Sequence, residues 1–174
     1  MKFQSQLLGA LLLISSSAFA LTDADIVQIV TTANNVEIGE SQLAESKTAN
    51  KDVRAFAEDM IKVHQDNNKQ GKDLSAKTKV TPIENDQSKA LEKESADQKI
   101  FLGKLKGAEF DKAYVDREVA VHTKVLQTID STLLPSAQNP DLRALLIKTR
   151  PVVEMHLTHA KNLLARLQKP TGSK

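Results

Sequence analysis

Residues 22–64 read TDADIVQIVTTANNVEIGESQLAESKTANKDVRAFAEDMIKVH, two helix-forming stretches separated by a three-residue break. Thr22 is a suitable cap for the first helix, in which apolar or small side chains recur every three or four residues to about Lys47. Asn50 is a good cap for a second helix, whose apolar face continues until shortly before Pro82. A connection this short predicts that the two helices form an antiparallel hairpin.

Three further helical segments follow the hairpin. The first, residues 88–105, is polar almost all round and has only a patchy apolar side, which predicts a shorter helix lying across the bundle. The second, residues 110–133, and the third, residues 140–167, carry apolar stripes of helical period and predict two more long helices. Pro151 falls inside the last helix and predicts a kink just before His156.

Four long helices and one shorter helix predict an all-α fold, specifically a ferritin-like up-down four-helix bundle with a long crossover that contains the extra helix. Such a crossover makes the third long helix parallel to the second, and an up-down-up-down order is the alternative. The predicted domain spans residues 21–169, a length typical of a single domain. Residues 170–174 are predicted to be a disordered tail.

The N-terminal residues 1–20 have the features of a signal peptide. Lys2 precedes a short apolar run at residues 7–14, and the small-x-small sequence at residues 18–20 predicts cleavage after Ala20. The apolar run is much shorter than the roughly twenty residues that a membrane span needs. The sequence therefore predicts an exported protein.

Charge and cysteine content limit the chemistry of the exported chain. Without Lys2, the 24 basic residues fall to 23 and face 22 acidic residues, interspersed along the chain, which disfavours nucleic-acid binding. We expect no transmembrane segment after residue 20, because no later apolar run approaches spanning length. The absence of cysteine excludes thiol catalysis and thiolate metal sites. A metal ion or an envelope component remains as a partner.

Carboxylates and histidines interrupt the predicted core stripes at similar depths. Glu37 and His64 each lie about a dozen residues from the hairpin turn, which puts both about 17 Å below it. If the crossover returns the chain to the same end of the bundle, His122 reaches the same depth. His156 is expected roughly a turn and a half higher, nearer Glu118. Glu118 and His122, four residues apart, share one helical face and could both reach one ion.

These five side chains are a candidate transition-metal site, for zinc, iron, copper or manganese, because neutral imidazole and carboxylate are suitable ligands without sulfur. No Glu-x-x-His pair is present, which disfavours a di-iron oxidase or ferroxidase and leaves a mononuclear site. The alternative is a hydrogen-bonded polar layer that fixes helix register without an ion. Glu40 is expected to be solvated at the stripe edge, and Tyr114 to pack in the core with its hydroxyl bonded to a neighbour.

Four stretches resemble, in order, the blocks of a ferritin-like family of exported bacterial proteins catalogued as domain of unknown function 4142. They are residues 37–47 (EIGESQLAESK), 53–64 (VRAFAEDMIKVH), 110–122 (FDKAYVDREVAVH) and 151–164 (PVVEMHLTHAKNLL). The resemblance implies a ferritin-like helical bundle and a periplasmic or outer-membrane location, but no established reaction. The positions that match the family's motif are Glu37, His64, His122 and His156.

The expected function is that of a non-catalytic periplasmic protein that binds a metal ion or an envelope component, with peripheral contact to the outer membrane left open. No catalytic residue is identified. The alternative is a metal-dependent redox or hydrolytic enzyme of the ferritin-like class, which the kinked last helix and the resemblance favour and the missing Glu-x-x-His pair opposes. A stress or chaperone-like role in the envelope is a third alternative, supported by no particular residue.

Overall fold

The computed structural model describes residues 21–169, and the predicted signal peptide (1–20) and tail (170–174) lie outside the described residues. Within residues 21–169 the chain forms helices and no strand, which confirms the all-α prediction. None of the helices in this part of the chain is both long enough and apolar enough to cross a membrane. The elements are α1 (Asp23–Lys47), α2 (Lys51–Thr78), α3 (Asp86–Lys104), α4 (Gly107–Thr128), a π-helical turn (Ile129–Leu133), α5 (Leu134–Ser136) and α6 (Pro140–Leu167).

Local sequence sets the helix starts. The Thr22 hydroxyl accepts from the Asp25 N–H, and the Asp25 carboxylate accepts from the Thr22 N–H at 2.9 Å, which forms a capping box at the start of α1. Asn50 and Asn139 each accept from two backbone N–H groups in the first turns of α2 and α6. Pro140 occupies the first position of α6, where no backbone donor is needed. The predicted caps are the ones that the fold uses.

Hydrogen bonds at the helix ends give the direction of each long helix. We call the end at which α1 joins α2 the upper end. The Thr48 hydroxyl donates to the Asp111 carboxylate at 2.5 Å, so α4 also begins at the upper end and runs parallel to α2. The Asp23 carboxylate accepts from the Asn139 N–H at 2.9 Å, so α6 begins at the lower end, beside the start of α1.

Helix α3 differs from the prediction, because it runs alongside α1 rather than across the bundle. Asn85 Nδ2 donates to the Asp25 carbonyl at 3.3 Å near the start of both helices, and Lys47 Nζ donates to the Gly103 carbonyl at 2.6 Å near their ends. The inward positions alternate in spacing between three and four. They are Ser88, Leu91, Ser95, Gln98, Leu102 and Leu105. Two serines and a glutamine in this narrow seam give little apolar signal, which is why the sequence pattern was patchy.

Two prolines, Pro135 after α4 and Pro151 inside α6, lie within helical segments. Helix α6 continues through Pro151, which lies on the exposed side, so the Ile147 carbonyl that loses its donor belongs to an exposed residue. The helix is unbroken at Pro151, and the kink stays a prediction. After Thr128 the chain widens into the π-helical turn, in which the Leu134 N–H donates to the Ile129 carbonyl, one residue before Pro135.

The core consists of two apolar clusters, one above the other. The α1–α2 and α4–α6 pairs pack against each other through α2 and α6, and α3 covers α1. The upper cluster contains Ala44, Val53, Phe56, Ala57, Met60, Leu102, Phe110, Tyr114, Val115, Ala160 and Leu163. The lower cluster contains Ile26, Val27, Leu74, Ile129, Leu133, Ala137, Leu142, Leu146 and Val153. Polar residues occupy the level between them.

Candidate metal centre

Five ionisable side chains meet between the two apolar clusters, and all five were predicted from the sequence. None exposes more than 7 % of its surface. This layer, which we call the Glu/His layer, consists of Glu37 on α1, His64 on α2, Glu118 and His122 on α4, and His156 on α6. The expected depth of His156 was wrong, because its ring lies level with those of His64 and His122 at centroid distances of 5.7 and 5.5 Å.

The ligand atoms of the Glu/His layer form two overlapping groups. One ring nitrogen each from His64, His122 and His156 lie within 4.8 Å of one another. A second group, within the same limit, joins His122 to a carboxylate oxygen of Glu37 and one of Glu118. The layer thus contains a histidine triad and a carboxyl pair, and His122 is close to both.

Asn34, which sequence reasoning missed, orients His64. The side-chain oxygen of Asn34 lies 2.8 Å from His64 Nδ1. Because this oxygen can only accept, His64 Nδ1 carries the proton and Nε2 keeps its lone pair. The Asn34 amide in turn donates to Asn68, which donates to Asn35. Asn34 lies three residues before Glu37, on the same face of α1, and this spacing was the available signal. Such a hydrogen bond typically fixes a metal-binding histidine in its ligating form.

The other two histidines also offer ring nitrogens to the interior of the layer. His122 Nδ1 donates to the Glu118 carbonyl at 2.9 Å, which leaves its Nε2 unprotonated. His156 has no hydrogen-bond partner on either ring nitrogen among residues 21–169. Three helices therefore supply three imidazoles with nitrogens free to bind.

Three imidazole nitrogens of the layer lack a hydrogen bond in the part of the chain that the structure describes. They are His64 Nε2 and both ring nitrogens of His156. Burying a polar atom without a partner is unfavourable by about 1–3 kcal/mol. The Glu37 and Glu118 carboxyls differ, because they form a hydrogen bond with each other when one of them is protonated. The carboxyl pair satisfies part of its own hydrogen bonding in this way, as a register-fixing layer would. The imidazole nitrogens are the atoms that still require a partner.

Burial favours the protonated form of both carboxyls. It raises the pKa of Glu37 to about 7, and the neighbouring Glu40 adds to the rise. It raises the pKa of Glu118 well above its ordinary value, with the Glu37 carboxyl as the next cause. Two carboxyls this close in a low-dielectric interior resist double ionisation. A bound cation would supply the missing positive charge and release protons from the pair.

Burial has the opposite effect on the histidines, which it keeps neutral. It lowers the pKa of His64 to about 3, with further lowering from His122 and His156. The pKa of His122 falls to about 4, and burial also lowers that of His156. Neutral imidazole is the form that ligates metal ions, so protons do not compete for these sites near neutral pH.

Glu40 contradicts its predicted position, because it is fully buried rather than solvated. Its Oε2 accepts from Arg117 Nε at 3.3 Å, and Arg117 also pairs with Glu94 on α3. The prediction failed because it placed α3 across the bundle, whereas α3 covers this face of α1.

The prediction for Tyr114 is confirmed, since its side chain is fully buried and its hydroxyl lies 3.0 Å from the Ser41 hydroxyl.

The family comparison identifies what the chain is related to. A family model described as domain of unknown function (DUF4142) matches residues 13–163, which include the whole Glu/His layer. No curated protein and no solved structure matches the chain. Because the model covers most of the sequence and confirms the resemblance found in its motifs, the chain belongs to the DUF4142 family.

Proposed function

We propose that this protein binds one transition-metal ion in the Glu/His layer and acts as a non-catalytic protein of the cell envelope. The observation that carries the proposal is the histidine triad, three buried imidazoles from three helices with ligand atoms within 4.8 Å of one another. The chemistry of the donors fits, because three neutral nitrogens favour zinc or copper, whereas manganese prefers oxygen ligands. His64 and His122 would bind through Nε2, and the carboxyl pair would balance the charge.

We further propose that the fold is a ferritin-like bundle and that the protein works in the periplasm. The shared starting end of α2 and α4 supports the first point, because a long crossover containing α3 makes these helices parallel. A polar site built from facing helices between two apolar clusters is typical of such bundles. The export signal predicted for residues 1–20 supports the second point.

Metal analysis of the mature, untagged protein tests the ion. We expect about one zinc or copper ion per chain and a higher melting temperature on adding metal, worth about 2.7 kcal/mol at a free concentration 100 times Kd. His156→Ala should abolish binding. His159→Ala is the matched control, because it removes an exposed histidine on the same helix and should leave binding intact.

A second variant covers the case in which His156→Ala does not fold. Asn34→Leu keeps all five ligands but removes the hydrogen bond that orients the His64 ring. It should weaken metal affinity about 10–100-fold. A wild-type protein that holds no metal, and whose melting temperature does not respond to zinc, copper or iron, would overturn the proposal. Equal metal content in wild type and His156→Ala would do the same.

A second candidate function is a metal-dependent redox or hydrolytic enzyme. The observation that favours it is the Glu37 carboxyl, whose pKa of about 7 suits proton transfer at neutral pH, beside a triad of ligands that leaves further coordination positions open. Oxygen consumption or peroxide turnover by the iron-loaded protein tests it. A rate no faster than that of Glu37→Ala would exclude this function.

A further inference from the structure

A cavity of about 300 Å³ lies between the Glu/His layer and the lower end of the bundle. Its walls are mostly aliphatic, and no Phe, Tyr or Trp of residues 21–169 lines it. Examples from α1, α2, α4 and α6 are Val30, Leu74, Val125, Leu146 and Val153. An engineered apolar cavity of about 150 Å³ binds benzene, so this one has room for roughly ten carbon atoms.

One end of the cavity is polar. Glu37, His64 and His122 line it where it meets the Glu/His layer. His64 Nε2 is buried and has no hydrogen-bond partner elsewhere in the described chain. Because Asn34 holds the proton of His64 on Nδ1, Nε2 is an acceptor that requires a donor.

The cavity reaches partly exposed side chains where α3 faces α4. Leu91 on α3 and Val121 on α4 line it and are partly exposed, and the neighbouring Glu94 and Lys124 are exposed. Helix α3 packs mainly against α1 and touches α4 little. A long, narrow molecule could enter here without separating the α1–α2 or α4–α6 pairs.

We propose that the cavity binds an elongated aliphatic molecule of about ten carbons that ends in a hydroxyl group, with the hydroxyl at the Glu/His layer. Aliphatic walls select the chain, and a hydroxyl can donate to the His64 acceptor. A carboxylate end is disfavoured, because its charge would be buried beside two acidic side chains, and Arg117, the cation nearest to them in the lining, already pairs with Glu40 and Glu94. The proposal goes beyond metal binding, since the aliphatic walls lie below the triad and do not depend on an ion.

Calorimetric titration with 1-decanol tests the proposal on mature, untagged protein, both metal-free and zinc-loaded. We expect one saturable site per chain in the metal-free form and weaker binding in the zinc-loaded form, because zinc would occupy the His64 Nε2 that accepts from the hydroxyl. Decanoate should bind the metal-free form more weakly than 1-decanol by about tenfold or more. No saturable binding of 1-decanol to the metal-free form would overturn the proposal, and equal affinity of the two forms would overturn the contact between the hydroxyl and His64. Decanoate binding as tight as that of 1-decanol would overturn the uncharged end.

Two variants on α4 separate the cavity from general stability. Val121→Phe places a ring in the cavity and should weaken 1-decanol binding about tenfold or more. Val119→Phe is the matched control, because Val119 is also partly buried but does not line the cavity. If Val121→Phe does not fold, Ala33→Leu fills the cavity from another helix, α1. Unchanged 1-decanol binding in the folded filling variant would overturn the site, and zinc binding measured in parallel reports separately on the metal proposal.

Discussion

At the scale of single residues, the burial of Glu40 depends on one partner. Its carboxylate is fully buried, and Arg117, with a side chain only 16 % exposed, is the cation that neutralises it. Removing one member of a buried ion pair leaves an uncompensated charge, which is far more unfavourable than losing an exposed pair. Arg117 also reaches Glu94 on the surface, so the same side chain joins a buried and an exposed interaction.

We expect Arg117→Ala to lower the free energy of unfolding by about 3–5 kcal/mol, because Glu40 stays buried without its cation. Glu94→Ala should lower it by about 0–1 kcal/mol, since the Glu94 side chain is about half exposed. Urea denaturation of both variants measures the difference. The double variant Glu40→Gln with Arg117→Ala should recover much of the loss. Equal losses for the two single variants would contradict this account.

The Glu37 carboxyl should make stability depend on pH in the metal-free protein. Its pKa is about 7 when folded and 4.5 ordinarily, so between these values the unfolded chain releases a proton that the folded protein retains. Stability from this group is therefore fully present below pH 4.5 and is lost as the pH rises to about 7. His64 and His122 act oppositely, since their pKa values are lowered and they remove stability as the pH falls below 6.5.

Comparing Glu37→Gln with wild type isolates the carboxyl from the histidines, which both proteins share. As the pH rises from 4.5 to 7, the melting temperature of wild type should fall relative to that of Glu37→Gln. Above about pH 7 the difference between the two should stay constant. Differential scanning calorimetry of chelator-treated protein across this range measures it. Glu92→Gln, on an exposed face of α3, is the control for removing a carboxyl from the surface. A constant difference for Glu37→Gln across this range would contradict the raised pKa of Glu37.

At the scale of helices, the elements that the sequence predicted well are those with strong local signals. The Thr22 and Asn50 caps and the three-residue break predict the first hairpin from local sequence alone. Helix α3 was placed wrongly because the side chains that seat it are small and polar, so periodic hydrophobicity does not report its burial. The error carried over to Glu40, whose burial is produced by α3 and by no feature of α1 itself.

The small inward-facing side chains of α3 predict that substitutions at neighbouring positions have very different effects on stability. Ser95 is 2 % exposed and faces α1, whereas Ala96 is exposed. Ser95→Leu should lower the free energy of unfolding by about 1–3 kcal/mol, because a larger side chain does not fit between closely packed helices. Ala96→Leu should change it by less than about 0.5 kcal/mol. Thermal denaturation of the pair measures the contrast, and similar values would mean that α3 packs loosely against α1.

At the scale of the whole molecule, the Glu/His layer connects the two helix pairs. Glu37 and His64 come from the α1–α2 hairpin, and the other three members come from α4 and α6. Helical rise alone predicted that Glu37, His64 and His122 share one level, because each is about a dozen residues from the same end. The level of His156 could not be counted in this way, since α6 starts at the opposite end and any uncertainty in its first residue shifts the whole helix. Asn34 was missed because its role arises only once α2 is packed against α1.

This arrangement predicts which helices a metal ion protects. An ion bound by the histidine triad links α2, α4 and α6, so opening any of them requires releasing the ion, whereas α3 contributes no ligand and packs mainly on α1. We expect added zinc to slow amide hydrogen exchange in the centres of α2, α4 and α6 by a similar factor, since ligand binding stabilises every opening that breaks the site. Exchange in α3 should change little, because it can detach while the site stays intact. Hydrogen exchange with mass spectrometry, with and without zinc, measures the pattern in wild type and in His156→Ala as the control. Equal slowing in α3 would mean that the bundle opens only as a unit, and protection confined to one helix would contradict a site shared by three.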